Sequence, residues 1–314
     1  TGVEMDPHTR AELMMFHWTR GDSMHITDFD VAGDGETDDY EAITRAFQAS
    51  LEEGVPLEFD ARVYATSQEL QITDHMDLRA PSRVKNQRMF FKALEPMRSV
   101  MTIQSGSLGN PYVKIEGIGF DGNDLADNGL HVAGTALSVF DNLLVRDCLR
   151  DGIYMERNRD NDSLSINDQN AWNYTTILRC GRVYCDDSLA RPYMRYVQPK
   201  QVLSLGNASC SGIEGANIVV CEGWSPLELG VRRGDPIRIG EFVTTVVSEP
   251  MSDDTLAVLT PLPEDIVQQP IAIGIGDGYH EERHGDNNLN AFRLGLIRWC
   301  AGFGMAIDGQ FGSM

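Results

Sequence analysis

Residues 26–72, ITDFDVAGDGETDDYEAITRAFQASLEEGVPLEFDARVYATSQELQI, decide how the rest of the chain is read. Gly33 and Gly35 flank Asp34, so the backbone can reverse there without steric cost. Asp38 suits a helix N-cap, with Glu41 three residues on, where a capping box places its Glu. Ala42, Ile43, Ala46, Phe47 and Leu51 then recur at helical spacing, and Gly54 supplies a left-handed stop. The pattern predicts one amphipathic helix over 39–52, whose apolar face must lie against something. Beyond it, Val55, Leu57, Phe59 and Val63 alternate with polar residues, and 55–105 reads as several short strands.

The same ordering resembles the N-terminal signature of the pectate-lyase-like superfamily of right-handed parallel β-helices. That signature is frequent in bacteriophage tailspikes and extracellular polysaccharide-degrading enzymes. It runs roughly D-F-G-A-x-G-D-G-x-x-D-D, then a helix with A-I-x-x-A, then a V-x-x-P-x-G-x-Y strand. Asp28-Phe29, Ala32-Gly33-Asp34-Gly35, Asp38-Asp39 and Ala42-Ile43-Thr44-Arg45-Ala46 match it. Asp30 stands where Gly is usual, and Asp60-Ala61-Arg62-Val63-Tyr64 replaces Pro-x-Gly-x-Tyr. The resemblance implies an all-β fold, a right-handed single-stranded parallel β-helix. The helix would cover its open end, an edge that otherwise invites aggregation. Asp34, Asp38 and Asp39 could be grouped as a metal site, but turn and cap roles account for them, since Asp favours both.

Further along, the text repeats. Leu144-Val145-Arg146-Asp147-Cys148 aligns with Leu296-Ile297-Arg298-Trp299-Cys300, each followed by a Gly (Gly152, Gly304) and another strand. Ile177-Leu178-Arg179-Cys180 is a looser copy. Repeated strand–turn–strand units mark a solenoid, in which each coil buries its apolar face on the next. Cys148, Cys180 and Cys300 then read as an interior ladder. Pro226 to Ile273 has a different texture, with runs such as Phe242-Val243-Thr244-Thr245-Val246-Val247 that suit tight hairpins. The expected organisation is an N-terminal arm at 1–25, a capped β-helix at 26–225, a small inserted β module at 226–273 and a continuation of the helix at 274–314. No stretch reads as a separate trimerisation or chaperone domain.

Composition narrows the ligand classes. A formal charge of -21, from 47 acidic and 26 basic side chains, argues against nucleic acid and against anionic membrane surfaces. It also disfavours a strongly anionic glycan unless basic residues cluster locally or a divalent cation bridges. No run approaches a membrane span, and residues 1–20 lack the pattern of a secretion signal. The 6 Cys show no paired metal spacing and are too sparse for a disulfide framework.

Chemistry on a β-helix comes from outward side chains on successive coils. The repeat alignment puts Glu156 and Asp308 in one column, and Asp186 and Asp187 follow the looser coil. Such carboxylates could act as acid and base on a glycosidic bond, although solvated turns hold most charged residues. A lyase would instead need a base beside a carboxylate-neutralising group, for which Arg157, Arg159, Tyr279, His280 and His284 are candidates. His280-Glu281-Glu282-Arg283-His284 spells the zinc-peptidase H-E-x-x-H, but the surrounding Gly and Asn argue for a turn rather than the helix that motif requires. No metal site is therefore assigned, and a divalent cation stays an alternative. Trp172, Tyr174, Tyr184 and Trp299, with Arg157, are candidates for substrate binding, because sugars stack on aromatic faces. Packed interior aromatics are the competing account.

The resemblance implies a phage tailspike-like protein that recognises a host cell-surface polysaccharide, and either hydrolyses it, cleaves it as a lyase or only binds it. Homotrimers, other virion tail proteins as partners, and a virion or extracellular location go with that family. A structural virion component and a secreted carbohydrate-active enzyme are the alternatives.

Overall fold

The computed structural model describes residues 23–81, 88–104, 106, 111–156, 167–168, 170–193, 197–281, 291–293, 295–303 and 305–307. Most of the expected N-terminal arm, Arg157, Arg159, His284 and Asp308 lie outside them.

Three parallel sheets run the length of the described chain. Sheet A stacks Met24–His25, Leu57–Glu58, Met76–Arg79, Val113–Glu116, Val139–Asp141, Ala171–Asn173 and Ala291–Arg293. Sheet B stacks Asp34–Asp38, Val63–Thr66, Met89–Ala93, Ile118–Asp121, Leu144–Arg146, Thr176–Leu178 and Leu296–Arg298. Sheet C stacks Leu70–Ile72, Met97–Gln104, Ala126–Ala133, Ile153–Met155, Tyr279–Glu281 and Met305–Ile307. The chain visits A, B and C in turn and then repeats, one strand per sheet per coil. This is a right-handed parallel β-helix.

In the first coil, helix α1 (Tyr40–Glu53) follows the sheet B strand where a sheet C strand would otherwise come. Ala42, Ile43, Ala46 and Phe47 are buried, and the Phe47 ring meets Phe91 edge-on at 6.5 Å. The apolar stripe of the helix thus joins the coil interior, as the sequence pattern requires. Gly54 closes it in the left-handed region at φ 68, its N–H donating to the Ser50 carbonyl. The N-cap is Asp39 rather than Asp38, and Asp39 makes no side-chain capping bond. Its carboxylate accepts instead from the N–H groups of Ala32 (2.6 Å) and Gly33 (3.0 Å). Asp38 accepts from Tyr40 N–H and Ser67 N–H, and Asp34 from Glu36 and Thr37. All three acids brace turns, which is where their lone pairs go.

Interior columns follow from the ladder register. Phe91, Phe120, Val145, Ile177 and Ile297 stack along sheet B. Phe140 stacks on Trp172 at 4.0 Å and 14° in sheet A. Leu144, Thr176 and Leu296 occupy one column on successive coils, so the repeat read from the sequence is a physical stack. The turn after them holds Asp147, Arg179 and Trp299, all at positive φ (55, 56 and 58). Cys148 and Cys180 follow, both fully buried, with Cys300 partly buried. No disulfide occurs among the described residues.

Between Leu178 and Tyr279 the solenoid is interrupted by a mainly antiparallel sheet whose strands run from Arg182 to Ile275. Its strands lie on both sides of the residue 226 boundary read from the sequence. Arg182–Cys185 pairs antiparallel with the long strand Ile266–Ile275, so the excursion starts and ends side by side. Alternation alone could not place the start, because parallel and antiparallel strands share a period of two. The sheet packs a second core around Cys210, Val219, Ile237, Leu256 and Ile273. Two ionic anchors fix it to the coils. In one, Lys200 Nζ meets Asp124 (2.9 Å) and Asp147 (2.8 Å), beside Arg182 on Asp124 (2.7 Å). The other is Arg232, described below. Among the described residues, no helix is long and apolar enough to cross a membrane.

Candidate functional site

Sheet C carries a column on the face opposite the coil interior, read directly from its register: Thr102, His131, Tyr154 and His280 on successive coils, with Thr102 and His131 buried. Thr102, His131 and Tyr154 each sit between two inward apolar residues, as in Leu130-His131-Val132, so strand alternation sets their direction, and His280 follows Tyr154 in register. The rings stack along the column. His131 lies over Tyr154 at 5.3 Å and 17°, and Tyr154 lies 5.7 Å from His280.

Each histidine has a carboxylate behind it, and each carboxylate an arginine. Glu156 Oε2 lies 3.0 Å from His131 Nε2, within ion-pair range though not aligned for a hydrogen bond. His131 Nδ1 faces Thr102 Oγ1 at 3.2 Å. Arg98 reaches the same Glu156 oxygen and stays 55% exposed. Burial would raise the Glu156 carboxyl, but His131 and Arg98 outweigh it and hold it below the ordinary range. On the other side, Asp277 Oδ2 lies 2.8 Å from His280 Nδ1. A carboxylate only accepts, so Nδ1 carries the proton and Nε2 is the nitrogen available for proton transfer. Phe303 N–H donates to the other Asp277 oxygen at 2.6 Å.

Arg232, from the inserted module, completes this half. Its guanidinium bonds Asp151 through both terminal nitrogens, at 2.7 and 2.5 Å. It lies 3.6 Å from Asp277 and 5.7 Å from the centre of the Tyr154 ring. Asp151 is buried, which alone would raise its carboxyl, yet Arg232 holds it low. Asp235 is only 2% exposed, and burial pushes its carboxyl up to about 7. Asp151, Asp277 and His280 offer ligand atoms within 4.8 Å of one another, a spacing a cation could use. Arg232 already supplies positive charge to both of those carboxylates, so the group is compensated as it stands.

The residues proposed from the sequence distribute as follows. Glu156 belongs to the column's edge. Trp172 does not face a ligand: it points inward, 2% exposed, against Phe140. Tyr279 is likewise interior, with its hydroxyl against Met155 Sδ. Asp186 and Asp187 stand in the inserted sheet and brace its turns, Asp186 accepting from Ser188 and Asp187 from Ser204, so neither joins Glu156. Tyr184 packs against the module's core. Trp299 sits in the positive-φ turn under the Arg298 guanidinium, 4.7 Å away. Tyr174 is 62% exposed at the turn between sheets A and B. Tyr279–Glu281 is a strand, not the helix an H-E-x-x-H zinc site requires. His131, Tyr154, Arg98, Asp151, Asp277 and Arg232 were not singled out. Alternation could have found the first two, but the last three meet only through tertiary folding.

No family model matches the sequence, and no curated protein does either. Partial structural similarity exists to ORF18 of Geobacillus virus E2, at 16% identity over 57% of this chain and 35% of that one, with a TM-score of 0.42. The chain's own sheet topology is that of a right-handed parallel β-helix. Similarity extends to the Dettilon tailspike protein gp208, at 17% identity over 54% and 30% of the two chains and a TM-score of 0.36. The A-module of the Azotobacter vinelandii mannuronan C-5 epimerase AlgE4 is similar at 16% identity over 53% and 45%, with a TM-score of 0.35. In each case the match spans less than half of the other chain.

Proposed function

We propose that this chain is a tailspike-like β-helix protein that recognises a host cell-surface polysaccharide and acts on it at the outer face of sheet C. The reaction class we infer is proton abstraction beside a uronate carboxylate, leading to β-elimination. The observation that carries it is the column itself: a tyrosine between two histidines, each backed by a carboxylate. In the elimination, His280 Nε2 takes the proton from the carbon next to the carboxylate. The electron pair forms the new double bond as the bond to the leaving glycosidic oxygen breaks. The Tyr154 phenol gives that oxygen its proton. Arg98, about half exposed beside Glu156, meets the substrate carboxylate and offsets the charge that develops on it. Such a local cation is what an acidic chain needs to hold an anionic glycan. In this reading the protein belongs to a virion tail, as a homotrimer among other tail proteins.

A second reading, hydrolysis, has one observation in its favour. Burial raises the Asp127 carboxyl, while His131 and Arg98 hold Glu156 low, and both carboxyls feel the charge of Arg98. Two carboxyls pushed apart in this way can serve as acid and base.

Incubation with polymannuronate, polyguluronate, polygalacturonate and neutral capsular glycans separates the readings. Elimination yields unsaturated sugar ends that absorb in the short-wavelength ultraviolet; hydrolysis yields new reducing ends without them. Neither product nor retention on any of these glycans would remove the proposal.

A further inference from the structure

We propose that Arg232, delivered by the inserted module, is the positioning residue that holds the Asp277–His280 pair against Tyr154. The inference rests on the sheet C site just described, and extends it to a part of the chain outside the solenoid. Arg232 lies 81 positions from Asp151 in sequence, yet makes a two-pronged bond to it. Asp151 in turn accepts the Asp277 N–H at 2.6 Å. Arg232 also draws on the Asp277 oxygen that faces His280, 3.6 Å away. One guanidinium therefore acts on Asp277 twice, through Asp151, which holds its backbone N–H, and through its carboxylate, while its Cζ lies 5.7 Å from the centre of the Tyr154 ring.

The surroundings argue for placement rather than adhesion. The Arg232 side chain is 13% exposed and Asp151 is fully buried, so neither is a rim contact. The Nε of Arg232 makes no hydrogen bond, with Asp235 Oδ1 standing 4.0 Å away. Both terminal nitrogens bond Asp151, and Nη2 also lies 3.6 Å from the Asp277 oxygen next to the histidine. The module has a separate anchor in Lys200 and Arg182, which bind Asp124 and Asp147. Docking does not depend on Arg232 alone. The charged groups facing Arg232 are Asp151, Asp235 and Asp277, with the Tyr154 face above. Removing the guanidinium takes away the cation that the three carboxylates share and loosens the hold on Asp277.

The test uses the full chain and two readouts. The first is the low-field proton signal of the His280 Nδ1–H held by Asp277, assigned by its loss in Asp277→Asn. The second is turnover of the uronate glycans named above. Arg232→Met is expected to lose or markedly broaden the His280 signal, and to lower kcat about 100-fold with KM little changed. Arg232→Lys, which keeps charge but loses the two-pronged fork, is expected to recover part of both. If Arg232→Met fails to fold, Arg232→Gln and Arg232→Lys carry the same comparison. An unchanged His280 signal in a folded uncharged variant overturns the proposal, whatever the turnover. If the signal disappears but Tyr154→Phe and the wild type behave alike on every glycan, the positioning role stands and the proposed reaction is what fails.

Discussion

Replacing Asp235 by Asn should make the protein more stable at alkaline pH, and the size of the gain can be worked from the structure. Arg232 is shared by Asp151, Asp277 and Asp235, and the first two lie closer to its terminal nitrogens. Asp235, almost fully buried, is left with an ionisation near 7 against an ordinary 3.8. Below about pH 4, folded and unfolded chains both hold the proton, and the group has no effect on stability. Between about pH 4 and 7 only the unfolded chain releases it, so stability falls as pH rises. Above about pH 7 the penalty is complete, on the order of 4 kcal/mol at ~1.4 kcal/mol per pH unit. Asn keeps the oxygen that accepts the Arg232 N–H at 2.8 Å and cannot ionise. The stability of Asp235→Asn relative to wild type should therefore grow by about 3 kcal/mol between about pH 5 and pH 8. Taking the difference between the two proteins cancels every other titrating group. Guanidinium titrations across that range, followed by tryptophan fluorescence, measure it. A difference that stays flat with pH would refute the sharing of one cation among three buried acids.

Three further outcomes are expected. Phe91→Ala removes a fully buried ring that meets Phe47, Phe59, Tyr64 and Phe120, and should cost about 3–5 kcal/mol in a denaturant titration. Gly152→Ala would put a Cβ 2.4 Å from Ile177 and 2.6 Å from the Gly278 carbonyl, so overpacking should cost about 1–3 kcal/mol in the same assay. Tyr174→Ala, at an exposed turn, should change stability by no more than about 0.5 kcal/mol; if Tyr174 is a sugar platform, retention on an immobilised glycan should weaken.

The coils were legible because their interior is repetitive. Leu144 and Leu296 lie far apart in sequence, yet share a column with Thr176 between them, and the same residue types recur where the same space is filled. The lid was legible because a helix with one apolar face carries its own spacing. Trp172 misled for a physical reason: sugar platforms and interior stacks both want an indole. Its alternation in Ala171-Trp172-Asn173, parallel to Val139-Phe140-Asp141, already pointed it inward. The module's early strands hid because their alternation matches that of a coil. The site was half legible. His131 and Tyr154 follow from alternation once the strands are set. Asp151, Asp277 and Arg232 meet only when the excursion beginning at Arg182 folds back on sheet C, and no spacing in the sequence encodes that meeting.

The most direct measurement compares Tyr154→Phe with wild type on whichever uronate glycan the wild type cleaves. Losing one hydroxyl between two retained histidines should leave glycan binding intact and reduce kcat by on the order of 100-fold or more. Turnover by the phenylalanine variant equal to that of wild type would contradict the assignment of this face as the place where the polysaccharide reacts.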